Sequence, residues 1–565
     1  IEFLLISRRL TFFSSTRYSY YSILLIISRS LTLSTSSMAP YSAFFYTALT
    51  INVIVTIRSS RVWDYYVKDK KRNSSDKTNS RKDDHKEEEV ENGANNTTTI
   101  PLIQDSESTT STSTKNKEEL ESKHSHLVKI YLAVYMFAVL SDWLQGPYVY
   151  ALYDAYGYSQ HMIAVLFVAG FGSSMAFGSF VGSLADSYGR RQFTIIFCVA
   201  YALSCVTKHF HNFGILMLGR ILGGICTSLL FSVFDSWLIR SHADMGLSDF
   251  LSSTFSTASY ANSVVAIVAG LLSERVASFG KIHAFFPTKD HDDSTSSHNL
   301  FYVGGYLLPF DVAILSLLLC GTFAITLWHE NYGNDPIREN LKENNNSAKH
   351  KNLCSSFKNA FYETMRTPPI LLCGLISSLY EGSMYIFVFM WTPALKDLSN
   401  DNNNLPFGFI FATFMISCMA GSSTFALMVK SYNVQTIALS VLIIATLAFN
   451  IMYHAKTDTY TILGFLLFEF SVGIYFPAMG TMKSSIVPEE KRATIYNLYR
   501  IPLNFIVLSS LLTDLSHKTS FGICVAMMTL ASVLQYFLRN ILATKVSNSS
   551  NNSKSDLELE LATPN

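Results

Sequence analysis

The chain has 565 residues, 49% of them hydrophobic, and a formal net charge of +1. That length would suit several soluble domains, but repeated apolar runs of about 20 residues, each enough to cross a bilayer, exclude that reading. The charges crowd into a few loops and leave the apolar runs nearly bare, so a lipid bilayer is an expected partner and nucleic acid is not.

The abundant Tyr and Phe (30 and 41) suit aromatic rings lining two membrane interfaces. Most of the eight cysteines fall inside predicted spans without metal-ligand spacing. They are expected to be free thiols, with no disulfide framework and no metal site.

The sequence starts with Ile1, and its first methionine is Met38. Residues 1–37, rich in Ser, Arg and Leu, are read as non-native sequence or a targeting leader. Residues 38–58 form an extra transmembrane helix, apolar from Tyr41 to Ile57, which is about 17 residues and just long enough to span. Arg58, Arg61, Lys68, Lys70, Lys71 and Arg72 follow it and would hold that end in the cytoplasm. Residues 59–126 carry Lys/Glu runs and Ser/Thr repeats with too little apolar surface to fold, so a disordered cytoplasmic linker is expected. A regulatory tail is the functional alternative for it.

Twelve apolar runs follow. The first six lie near 127–149, 161–183, 192–209, 213–238, 256–277 and 303–328, within a first unit at 127–329. The second six lie near 369–392, 406–429, 434–453, 459–481, 494–513 and 519–541, within a second unit at 369–541. Residues 330–368 between them carry Arg338, Lys342, Lys349, Lys351, Lys358 and Arg366, which marks a cytoplasmic loop. Residues 542–565 read as a disordered cytoplasmic tail.

Between the second and third runs stands Gly182-Ser-Leu-Ala-Asp186-Ser-Tyr-Gly189-Arg190-Arg191, a basic turn that must also be cytoplasmic. Its pattern G-x-L-x-D-x-x-G-R-R resembles the loop between helices two and three of the major facilitator superfamily. Lys483 to Ala493 is a degenerate partner of it in the second half. The resemblance implies an all-α membrane protein with the major facilitator fold: two six-helix bundles around a substrate path, here with one extra N-terminal helix. The pairs Gly178-x-x-x-Gly182 and Gly219-x-x-x-Gly223 read as close helix packing.

An ionisable group costs roughly 2.5–3.5 kcal/mol or more at the centre of a spanning helix, so each needs a reason. They are Asp142, Arg220, Asp235, Asp311, Glu381, Glu469 and Arg500. Arg220 could pair with Asp142 or hold substrate, and Asp311 reads as structural. Trp143 and Trp237 read as packing groups. Glu381 and Glu469, near the middle of their spans, and Asp142 are the candidates for proton coupling. By the resemblance, Asp235 pairs with Arg190 or Arg191 as a cytoplasmic latch, while Asp186 caps the eleventh helix.

Six further segments are more particular: Ser141-Asp-Trp-Leu-Gln-Gly-Pro-Tyr148, Gly219-Arg-Ile-Leu-Gly-Gly224, Thr227-Ser-Leu-Leu-Phe-Ser232, Phe234-Asp-Ser-Trp237, Trp391-Thr-Pro393 and Tyr475-Phe-Pro477. Together they resemble the molybdate-anion transporter branch of that superfamily, with Asp235 standing where Glu is expected. The resemblance implies uptake of a tetrahedral dianion by alternating access. Such a dianion wants Arg forks and neutral donors. Arg220 and Arg500 are the forks, with Gln145, Asn262, Asn504 and Tyr148 as neutral donors.

The acids in the spans outnumber the arginines, five to two. That excess keeps open a carrier of sulfate, a cation or an organic molecule. A transporter-shaped receptor or scaffold is the reading from another class. No P-loop, nucleophile elbow, H-E-x-x-H or C-x-x-C appears, so no enzyme, cofactor or ATP drive is expected, and no obligate protein partner either. The plasma membrane is the default location.

Overall fold

The computed structural model describes residues 39–59, 107–285, 301–332, 358, 361–398, 405–488 and 492–561. The leader at 1–37, most of the linker and most of the central loop lie outside the described residues.

The described chain is almost wholly helical. α1 (Ala39–Ser59) stands before the bundles. The first bundle contains α2 (Glu107–Gln145), the short α3 (Val149–Ala155), α4 (Gln160–Tyr188), α5 (Arg190–Val206), α6 (Phe213–Leu230), α7 (Val233–Asp244), α8 (Leu251–Ala277) and α9 (Leu308–Leu327). The second contains α10 (Pro368–Leu398), α11 (Phe407–Met428), α12 (Val434–His454), α13 (Asp458–Ile486), α14 (Arg492–Leu512) and α15 (His517–Leu561). Among the described residues, ten helical stretches are long and apolar enough to cross a membrane, and α1 and α14 add shorter apolar ones. At the end opposite the basic turn, called outer because that turn is read as cytoplasmic, β1 (His283–Ala284) pairs antiparallel with β2 (Tyr302–Val303).

Two boundaries differ from the sequence reading. Helix α2 begins at Glu107, inside the stretch read as linker. Glu119 and Lys123 pair at 2.8 Å one turn apart, and His124 stacks on Phe250 at 4.8 Å, so local and tertiary contacts extend the helix beyond its apolar part. Helix α15 likewise continues through Leu561, past the last apolar run.

Helix α1 lies against the second bundle. Phe45 stacks on Phe409 at 4.7 Å, and the hydroxyls of Thr56 and Ser423 lie 3.1 Å apart. The basic turn is shaped by Gly189 at φ 111°, a conformation that disfavours side chains. A Cβ there would also stand 2.7 Å from the Glu330 carboxyl carbon. That carboxylate accepts from the backbone N–H groups of Arg191 (2.8 Å) and Gln192 (3.2 Å), placing an anion on the N-terminus of α5.

Among the described residues the apolar core falls into three clusters, two of them large. One fills the cytoplasmic half of the first bundle around Trp237 and Trp328, stacked at 4.0 Å. The larger runs through the second bundle and crosses to the outer ends of the first. Ring contacts seal that crossing: Tyr150 and Phe167 meet Phe389 at 5.5 and 5.4 Å, and Phe171 meets Tyr385 at 4.8 Å. The bundles are therefore closed at the outer side.

Toward the opposite side the bundles leave a cavity, and Phe231, next after α6, lines it and is 71% exposed. In a background with Cys354 and Cys418 replaced by Ser, a membrane-impermeant thiol reagent should label Phe231→Cys rapidly from the cytoplasmic face. Phe389→Cys should resist the same reagent added outside; the reverse pattern would refute an inward-open arrangement.

Candidate functional site: a basic cavity between the bundles

A cavity of about 440 Å³ opens between α4 and α6 of the first bundle and α10 and α14 of the second. Three cationic side chains line it, Lys208, Arg220 and Arg500, against one acid, Glu381. Hydroxyls surround them, including Ser174, Tyr201, Ser204, Thr227 and Ser228.

Arg220 is held in place by its neighbours. Its Nε donates to the Leu166 carbonyl at 3.2 Å, and its guanidinium lies over the Phe167 ring at 4.7 Å. Gly170 makes the room, since a Cβ there would stand 2.7 Å from Nη2. Arg500 enters from the other bundle, is exposed to the cavity, and has no ion pair among the described residues.

Lys208 was read only as the end of the third run. It lies in the turn Thr207–His209 after α5, is 1% exposed, and its Nζ has no hydrogen-bond partner. The Tyr153 ring is 5.7 Å from it. A Cβ at Gly219 would collide with Thr207 and stand 3.2 Å from Nζ. Gly170 and Gly219 thus make space for cations, a role that the packing reading of Gly219-x-x-x-Gly223 missed. Helix spacing alone does not show what lies opposite a glycine.

Of the predicted substrate contacts, Arg220, Arg500, Gln145 and Asn504 meet at the cavity. Gln145 donates to the Ser141 carbonyl at 3.0 Å, and Asn504 touches Met175. Asn262 is not among the lining residues; it accepts a 2.8 Å hydrogen bond from Trp143 Nε1. Tyr148 is also elsewhere, bonded to Glu274.

The acids of the spans differ in their partners. Asp142 does not pair with Arg220; it accepts from Tyr201 at 2.5 Å. Glu381 accepts from Ser377 (2.7 Å) and Tyr475 (3.1 Å) and forms an ion pair with Lys483 at 3.2 Å. Asp311 pairs with His209 at 3.0 Å in the outer turns. Glu469 is buried without a hydrogen bond or ion pair among the described residues, and does not line the cavity.

At the cytoplasmic turn, Arg190 has no ion pair with Asp235 among the described residues. Asp186 holds it at 2.7 Å, and its Nη1 donates to the Ser236 carbonyl at 3.0 Å. Arg191 reaches Glu330, at 3.8 Å. Asp186, four residues earlier at the end of α4, competes for Arg190 across the Gly189 turn, and Asp235, one methylene shorter than the expected Glu, reaches less far.

The outer closure contains a residue that the sequence reading did not select. Glu274 on α8 accepts from Tyr148 at 2.8 Å and from the backbone N–H of Gly408 at 3.0 Å, in the first turn of α11 in the other bundle. Lys396 pairs with Asp154, and His161 with Asp514 at 3.1 Å, across the same seam. Glu274→Ala leaves the Tyr148 hydroxyl and the Gly408 N–H unpaired, a loss of about 1–3 kcal/mol for the closed seam. It should raise outside labelling of Phe389→Cys without lowering the amount of folded protein. Gly170→Ala should displace Arg220 and weaken anion binding by about tenfold or more, the loss of one charge-assisted contact.

Comparison with known proteins agrees with this architecture. A family profile described as sugar transporters with twelve transmembrane segments matches residues 106–296 and 297–458. A molybdate-anion transporter of Takifugu rubripes is 31% identical over 434 residues, covering 71% of this chain and 85% of the relative. One from Xenopus tropicalis is 31% identical over 413 residues, covering 70% and 82%. Among solved structures, the nucleoside transporter NupG superposes with a TM-score of 0.55 at 10% identity, covering 72% of this chain and 99% of that one. A D-xylose-proton symporter does so at 0.53 and 13%, covering 72% and 96%. At those identities the likeness concerns the fold.

Proposed function

The chain belongs to the molybdate-anion transporter branch of the major facilitator superfamily, and from that premise we propose that it takes up molybdate as a secondary carrier by alternating access. The observation that carries this reading is the charge of the cavity. Lys208, Arg220 and Arg500 line it, and its one acid, Glu381, is already neutralised by Lys483. Of the acids counted along the spans, Glu381 alone is among the described residues lining it. Two guanidinium forks from opposite bundles, with hydroxyls between them, match a tetrahedral dianion that needs several donors at once.

Alternating access follows from the same placement. Arg220 belongs to the first bundle and Arg500 to the second, so an anion bound to both favours the arrangement that brings the bundles together. Closing the cytoplasmic side would let the outer seam open, and the latch of Asp186, Arg190, Arg191 and Asp235 belongs to that step. A multi-pass protein of the plasma membrane, working without enzyme activity or cofactor, is the setting we assign.

Cells expressing the chain should accumulate molybdate, with tungstate and sulfate tested as competitors. Arg220→Ala and Arg500→Ala should each weaken uptake by about 10- to 100-fold, as expected for charge-assisted contacts. Arg500→Lys should restore only part of it, because an ammonium lacks the planar fork. Undiminished uptake in both alanine variants, or a preference for cations, would overturn the assignment.

A further inference from the structure

Building on the anion-carrier reading, we infer that Lys208 is both an anion contact and the proton carrier of the cycle: its amine takes up one proton with each bound anion and gives it up when the anion leaves. The carboxylates Glu381, Glu469 and Asp142 then need not carry protons.

The argument begins from burial. Lys208 is among the largest fully buried side chains, and its Nζ makes no hydrogen bond. A bare ammonium without a counter-ion is one of the costliest groups to enclose, whereas a lysine can shed its charge and an arginine cannot. Among the described residues, no acid forms an ion pair with it. Arg220 faces it from α6 and is itself cationic; Tyr153 from α3 offers its ring, with an unpartnered hydroxyl. Cys205 lies on α5, and the Tyr156 hydroxyl is committed to the Lys208 carbonyl at 2.7 Å. The acids at this end of the bundle are taken, Asp142 by Tyr201 and Asp311 by His209.

What remains is the cavity itself, whose wall Lys208 shares with Arg220. A dianion there supplies the missing counter-charge, and the ammonium becomes the favoured form. The step balances simply: amine, proton and anion combine to an ammonium–anion pair, and release returns all three. Anion and proton enter from outside and leave to the cytoplasm. A dianion then crosses with one net negative charge in place of two, which halves the work against an inside-negative potential. The empty site returns without that charge.

The test uses the full chain in liposomes, with molybdate as substrate and a pH dye as second readout. For wild type, uptake at limiting proton concentration should rise by about tenfold per pH unit of external acidification, the slope for one bound proton. Protons should enter with the anion. Lys208→Arg fixes the charge: it should still bind molybdate and exchange internal for external molybdate, but net uptake should fall by about tenfold or more and proton entry should vanish. Lys208→Gln should bind weakly and carry residual anion without acid stimulation.

Wild-type acid stimulation and proton entry in either variant would overturn the inference while leaving the carrier reading intact. Should Lys208→Arg not reach the membrane, the Lys208→Gln result decides alone. Wild-type protein that neither binds nor moves molybdate would remove the carrier reading, and this inference with it.

Discussion

A charge enclosed by apolar helices must be met by an opposite charge or by hydrogen bonds, and this constraint organises the molecule. Asp142 has Tyr201, Glu381 has Lys483, Asp311 has His209, and Glu274 has Tyr148 and the Gly408 N–H. Each of these acids is tied to a helix neighbour or to the outer seam; Glu469 is the exception, buried without a partner among the described residues and away from the cavity wall. The cations that line the cavity are not matched in this way: Arg220 has a carbonyl and a ring, Arg500 has no described ion pair, and Lys208 Nζ has no hydrogen bond. Positive charge is thereby concentrated at a cavity between the two bundles.

The same constraint explains why the outer seam can open and close. Its ties are polar, and several are between groups that water can serve equally well: Lys396 with Asp154, His161 with Asp514, and Glu274 on the first N–H groups of α11. Opening exchanges them for hydration at modest net cost, because protein–water bonds replace protein–protein bonds. The rings of Tyr150, Phe167 and Phe389 add apolar burial that favours closure. A balance of this kind suits a carrier, whose two states must lie within reach of a ligand's binding energy.

The fold class was legible because its signal is local. Apolar runs of span length and a basic turn are properties of contiguous sequence, and they suffice for the helices and the fold class. The site was legible only in part. Arg220 and Arg500 stood out as charges within apolar runs, and they meet at the cavity as the dianion argument required. Lys208 did not stand out, because a lysine closing an apolar run has the pattern of a side chain snorkelling to the interface. Its burial depends on Gly219, on another helix, leaving space for it. Glu274 was hidden for a similar reason: it follows Ser273 at the end of a run, and its partner Gly408 is 134 positions away. Counting acids along the spans could not show which of them face the cavity, since their partners are set by tertiary contacts.

The contrast between the lysine and the arginines bears on how such a carrier completes its cycle. A site of permanent charges can bind a dianion strongly, but when empty it must return through a closed state with those charges uncompensated. Arg220 lessens that burden with a carbonyl and an aromatic face, and Arg500 by remaining exposed to the open cavity. Lys208 has the more distant Tyr153 ring at 5.7 Å but is 1% exposed with no hydrogen bond at Nζ. Of the three cationic side chains, it is the only one whose charge can be removed at ordinary pH. The group in the least tolerable position for a fixed charge is therefore the group that need not keep one. Dividing the work between fixed forks that select the anion and one removable charge that follows it reconciles tight recognition with release.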